Sequence, residues 1–170
     1  MPKLGITGLK WLKTLHLLCA GCWLGGALSL TVLNLHAESA LNGSILYGIN
    51  SAASAIDLWV VIVGGANGCL VTGLAYGLFT TWGFFRQGWL VAKWGILVFA
   101  MLFGTFFLGN WEGFMLETSY NLGLASFFEP RFTAVKRLHL LGGLCQLFLL
   151  ALAVGLSVFR PKFGRKAEKF

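Results

Sequence analysis

Four ionisable side chains stand inside runs of leucine, alanine, valine and glycine: His16 in LKTLHLLCAGCWLGG, Asp57 in AIDLWVVIVGG, Lys93 in LVAKWGILVF and His139 in KRLHLLGG. A charged group at the centre of an apolar span costs about 2.5 to 3.5 kcal/mol on insertion scales, so these groups must look inward rather than at lipid. The chemistry open to them is narrow. A neutral imidazole among small residues can hold haem iron, and a lysine can hold a carboxylate as a point charge. Asp57 can be satisfied by Arg137 or His139. Cys19 and Cys22 adjoin one turn apart and serve first as small packing residues, with a redox pair as the alternative. CAGCW carries Trp23 where covalent haem attachment needs a histidine, which excludes a c-type site.

The elements that must position these groups follow from composition. Of 170 residues, 57% are hydrophobic and 11% charged, far from the makeup of a soluble domain. Four apolar stretches, approximately 8–35, 54–82, 88–109 and 133–159, each reach the roughly 20 residues that cross about 30 Å of hydrocarbon. The expected fold is therefore all-α: one transmembrane domain over 1–170, an integral membrane four-helix bundle. The first stretch is longer than a signal-peptide core and is kept as a permanent helix. Lys3, Lys10, Lys13, Arg86, Arg160, Lys162, Arg165, Lys166 and Lys169 fall at the N-terminus, the second connection and the tail, which predicts both termini inside. The net charge of +7 then reflects topology and anionic lipid, not nucleic acid.

Advancing 3.6 residues per turn from each polar anchor gives a stripe of small residues. His16 shares its face with Cys19, Ala20, Trp23, Ala27 and Asn34, Asp57 with Gly64, Gly68 and Ala75, and Lys93 with Ala100 and Gly104. His139 shares its face with Gly142, Gly143, Gln146, Ala153 and Ser157. Such stripes let helices approach closely, within one chain or in a homodimer, or leave room for a flat cofactor. At 1.5 Å per residue, His16 lies roughly 5 Å inside the inner boundary and Lys93 at a comparable depth, so the two can share a site. His36 lies roughly 30 Å further along the first helix, where it could join His139 at an outer level. The connections at Asn34 to Ala53 and Asn110 to Phe132 are long enough to carry interfacial structure. Pro130 suits a helix start and Pro161 a stop.

WLKTLHLLCAGCWLGGALSL is similar to the first helix of the HemJ-like protoporphyrinogen IX oxidases, WLVAKWGILV to the lysine-bearing third helix of that family, and SVFRPKF to its ending. The whole chain, with DLWVVIVGGANG, TTWGFFRQGW and FGTFFLGNWE, resembles an uncharacterised family of bacterial four-helix membrane proteins and, more distantly, the copper-resistance D membrane proteins. The resemblance implies a haem b ligand at His16 and a residue near the porphyrin or its carboxylates at Lys93. The fourth helix departs from the oxidases, opening on KRLHLLGG in place of an Asn-x-x-Pro-like start. The expectation is a haem b redox protein acting on a quinol or porphyrinogen, with Lys93 the candidate catalytic residue and His16, His36 and His139 the candidate metal ligands. Two rivals stand beside it. One is a copper or small-solute transporter using His16, Cys19, Cys22 and Met101. The other is a scaffold that dimerises through glycine faces.

Overall fold

The computed structural model describes residues 4–80 and 87–161. Met1, Lys3, Trp82, Arg86, Lys162, Arg165, Lys166, Lys169 and Phe170, on which much of the orientation argument rests, lie outside the described residues. The described chain is helical and forms four rods, each long and apolar enough to cross a membrane. The first is α1 (Ile6–His36), and the second runs from α2 (Gly43–Ile56) through a π-helical segment (Asp57–Asn67) into α3 (Gly68–Phe79). The third runs from α4 (Gly88–Phe103) through a π-helical segment (Gly104–Leu108) into α5 (Gly109–Leu122), and the fourth is α6 (Pro130–Phe159).

Large apolar side chains cover the outside, among them Trp11, Leu18, Val71, Phe106 and Phe148, all more than 60% exposed. Soluble monomers rarely expose so many large apolar side chains, and a surface of this kind suits contact with lipid. Inside, α1 packs along the first π segment, α3 and α6, while α4 packs on α6. The core joins Trp23, Ala27, Val61, Ala66, Cys69, Ala100 and Leu150. At Gly65 a Cβ would lie 2.7 Å from the Trp23 Cα, so only glycine lets the first two rods come this close.

Two stretches expected to be connections are helical. Asn42 caps α2, its Oδ1 accepting from the Ile45 amide at 2.9 Å, and Leu46, Asn50 and Ala53 then share a buried face. Across from it, α5 buries Glu112, Met115 and Ser119 at helical spacing, and α2 and α5 pack on each other. Polar residues on the buried faces themselves, Asn50, Glu112 and Ser119, hide this periodicity in the sequence. Gly43 and Gly123 let the two ends meet: a Cβ on Gly43 would sit 2.8 Å from the Gly123 Cα, and Gly123 itself takes φ +55°. Pro130 opens α6, whose end at Phe159 is followed by a left-handed Arg160 before Pro161.

The π segments change which residues face inward. Ala53, Asp57, Val61, Gly65 and Cys69 recur every fourth position along the second rod, and all but Asp57, which is half-buried, are buried. In an α-helix each four-residue step drifts by about 40°, which would carry this series round to lipid. The wider π turn holds it on one face. Gly65 consequently meets Trp23, where α-helical projection from Asp57 selects Gly64.

Candidate functional site

Polar side chains gather at two levels. At the end of the bundle where the described chain begins and ends, His16 projects from α1 between α3 and α4. The Thr72 hydroxyl donates to the Gly68 carbonyl at 2.6 Å, so its oxygen is left to accept from His16 Nδ1, also at 2.6 Å. The proton is thereby placed on Nδ1, and Nε2 keeps a lone pair. Lys93 Nζ donates to that lone pair from 3.4 Å. Tyr76, one turn beyond Thr72, stands edge-on to the imidazole with ring centroids 5.8 Å apart. His16 and Lys93 are thus brought together in a chain in which each donor has an acceptor. Thr72 and Tyr76 are members that sequence reasoning missed; their i, i+4 spacing on a glycine-rich helix was the available signal.

Asn34 lies on α1 eighteen residues beyond His16, roughly 27 Å along the axis, and belongs to the second level. Its Nδ2 meets His139 Nδ1 at 3.1 Å and the Lys136 carbonyl at 3.4 Å. His139 Nε2 faces Glu112 Oε2 at 3.9 Å. Lys136 turns away to Glu38, at 2.8 Å. Below these groups a cavity of about 80 Å³ is lined by Asp57 and Ala66 of one π segment, Gly104 and Thr105 of the other, and His139 and Gln146 of α6. Glu112 escaped sequence reasoning because its stretch read as a connection, although Glu112, Met115 and Ser119 follow a helical repeat.

His36 does not join His139. Asn34 holds the face of α1 that meets α6, and two further residues rotate the chain by about 200°, so His36 is exposed and contacts Ser39. Nor does Asp57 pair with Arg137, which is exposed; Asp57 lines the cavity with His139. Among the described residues no group of three His, Cys, Asp or Glu side chains could hold a metal ion. Cys19 and Cys22 are free thiols against the second rod, where Cβ atoms on Gly68 and Gly64 would touch their Sγ atoms.

No family model, curated protein or solved structure matches this chain.

The two levels differ in how they suit a haem. The His16 chain supplies what an axial ligand needs: a neutral imidazole with a lone pair on Nε2 and a second partner on Nδ1 that fixes the ring. A cation stands beside it. The glycine stripe leaves no slot, because Cys19, Cys22 and Trp23 fill the spaces over Gly68, Gly64 and Gly65. The approach to Nε2 lies on the other side, toward α4, whose backbone packs on α6 rather than on α1 and which reaches His16 through the Lys93 side chain. At the far level His139 is 5% exposed with Asn34 and Glu112 at its two nitrogens, and the cavity has room for two or three waters at about 30 Å³ each, not for a porphyrin. His36 and His139 are not carried forward as ligands.

Proposed function

We propose that this multi-pass membrane protein is a haem b-binding redox protein, oriented with both termini on the cytoplasmic side of a bacterial inner membrane, that transfers electrons or oxidises a hydrophobic substrate of the quinol or porphyrinogen class. The observation that carries the reading is the hydrogen-bond chain from Gly68 through Thr72 to His16. It favours the imidazole tautomer that keeps a lone pair on Nε2 for iron, a lone pair that Lys93 Nζ meets at 3.4 Å in this structure.

Haem b, when bound, supplies one-electron chemistry at its iron. The chain's own residues do the rest. His16 would hold the group through Nε2. Thr72 orients the imidazole, and its bond to Nδ1–H would make the ligand more electron-rich. Lys93 would have to leave Nε2, and its ammonium could then meet a propionate or a substrate carboxylate. Tyr76 limits rotation of the ring.

The test is the visible spectrum of the detergent-purified protein, oxidised and dithionite-reduced. A reducible Soret band in the wild type, lost in His16→Ala and kept in His36→Ala, is the expected result. Full haem content in His16→Ala, or stoichiometric copper without a Soret band, would overturn the reading.

A further inference from the structure

The far level has a chemical imbalance that the His16 level lacks. Five buried side-chain polar atoms among the described residues have no protein hydrogen-bond partner, and four of them are acceptors: Asn34 Oδ1, both carboxyl oxygens of Glu112 and Gln146 Oε1. Glu112 and Gln146 are each 4% exposed, and Gln146 lines the cavity. Asp57, on the wall of the same cavity, adds a carboxyl group. Buried acceptors without donors are rare because they lose their water and gain nothing in return. Gln146 lines the cavity, as does His139, whose two ring nitrogens face Asn34 and Glu112, and both interruptions of α-helical geometry, Asp57–Asn67 and Gly104–Leu108, border it. Single π turns recur at functional sites.

The fifth unpartnered atom is a donor, Trp23 Nε1, on a residue that also lines the cavity; what the lining lacks is positive charge. The nearest ammonium, Lys136, is held by Glu38. The charged and titratable groups facing the Glu112–His139 pair are therefore Asp57 from the second rod and Lys136 from α6, with Asn34 the polar neighbour from α1 and Asn50 from α2, whose amide donates to the Met115 carbonyl. A metal cation fits poorly. A hard ion takes six or more oxygen ligands, whereas this cavity is walled largely by Trp23, Ala27, Leu30 and Val61 and faces a ring nitrogen.

We infer that the Glu112–His139 pair is a proton-binding site inside the bundle, taking up one exchangeable proton from the far-side aqueous phase and passing it through cavity water to Asp57. The geometry supports both positions of that proton. On Glu112 Oε1 it makes a neutral carboxylic acid whose Oε2 faces the Nε2–H of neutral imidazole, the tautomer in which Nδ1 accepts from Asn34. On His139 Nδ1 it leaves a carboxylate facing an imidazolium, and the new Nδ1–H finds an acceptor in Asn34 Oδ1 once that amide turns over. No electron moves, and water supplies and accepts the proton. One turn from His139, the Lys136–Glu38 pair reaches solvent through a Glu38 side chain that is 73% exposed, which marks the way out. The site is independent of haem at His16.

Infrared difference spectroscopy on the full chain in nanodiscs, across a pH step, tests this directly. The expected result is a carbonyl stretch of a protonated carboxylic acid that titrates, shifts in deuterium oxide and disappears in Glu112→Gln, while Asp57→Asn slows its exchange with deuterium at least several-fold. Glu112→Gln keeps the shape of the protonated acid and should fold; if it does not, the titration and deuterium shift of the wild-type band decide. Absence of a titrating acid band in the wild type would overturn the proposal. So would its removal at fixed pH by sodium chloride but not by choline chloride, which would make the ligand a metal cation.

Discussion

The two polar levels of the bundle use the same residue types and reach opposite states. Around His16 the donors and acceptors run in one direction, from Lys93 to imidazole to Thr72 to the Gly68 carbonyl, and the cluster is half open on the side of α4. Around His139 the groups are more deeply buried and the acceptors outnumber the donors. A histidine in an apolar span therefore says little by its presence alone. What distinguishes a ligand from a proton carrier is the partner of the second ring nitrogen and whether the first has anything to give or receive.

The largest expected effect separates the two histidines. His16→Ala should abolish haem binding, read as loss of the Soret band, while His139→Ala should leave haem content unchanged; equal loss from both would merge the two levels into one site. Next comes the seam that holds the levels in line. Gly65→Leu forces a side chain into the Trp23 backbone and should destabilise the bundle by about 3 kcal/mol or more, whereas Gly21→Leu, where a Cβ meets nothing within 4 Å, should change little. Thermal unfolding in detergent compares the two.

Smaller effects sharpen each level on its own. Thr72→Val removes the acceptor from Nδ1 and keeps the volume, so haem affinity should fall about 10-fold with the fold intact. A haem titration measures it, and an unchanged affinity would leave Thr72 as packing only. Asn42→Ala should cost about 1 kcal/mol by uncapping α2. The loss should appear as faster hydrogen exchange at Ile45 and Leu46, with the His16 end unaffected.

Much of the bundle was legible because burial in a membrane leaves a crude signature. Length and apolarity located four rods, and the inward faces of α1 and α6 followed a 3.6-residue period, with Trp23, Ala27 and Asn34 on one and His139, Gly142 and Gln146 on the other. The same period failed on the second rod, since it assumes an α-helix and the chain widens at Asp57–Asn67. Hydropathy failed differently at α2 and α5, where the buried face itself carries asparagine, serine and glutamate. The closeness of His16 to Lys93 could be argued from depth; the roles of Thr72 and Glu112 could not, because each depends on which neighbour a rod turns toward.

The second rod, Gly43–Phe79, is 37 residues long and the third runs from Gly88 to Leu122. At about 1.5 Å per residue each spans roughly 50 to 55 Å, well beyond the roughly 30 Å of hydrocarbon in a bilayer. The surplus is the α2–α5 pair, a packed helical stub at the end of the bundle away from His16. Tyr47 and Tyr120, one from each helix and both exposed, lie against each other on it with ring centroids 5.4 Å apart. A water-soluble protease, antibody or labelling reagent approaching that end meets ordered helix rather than loop, which makes the stub a handle for capturing the protein without touching the rest of the bundle.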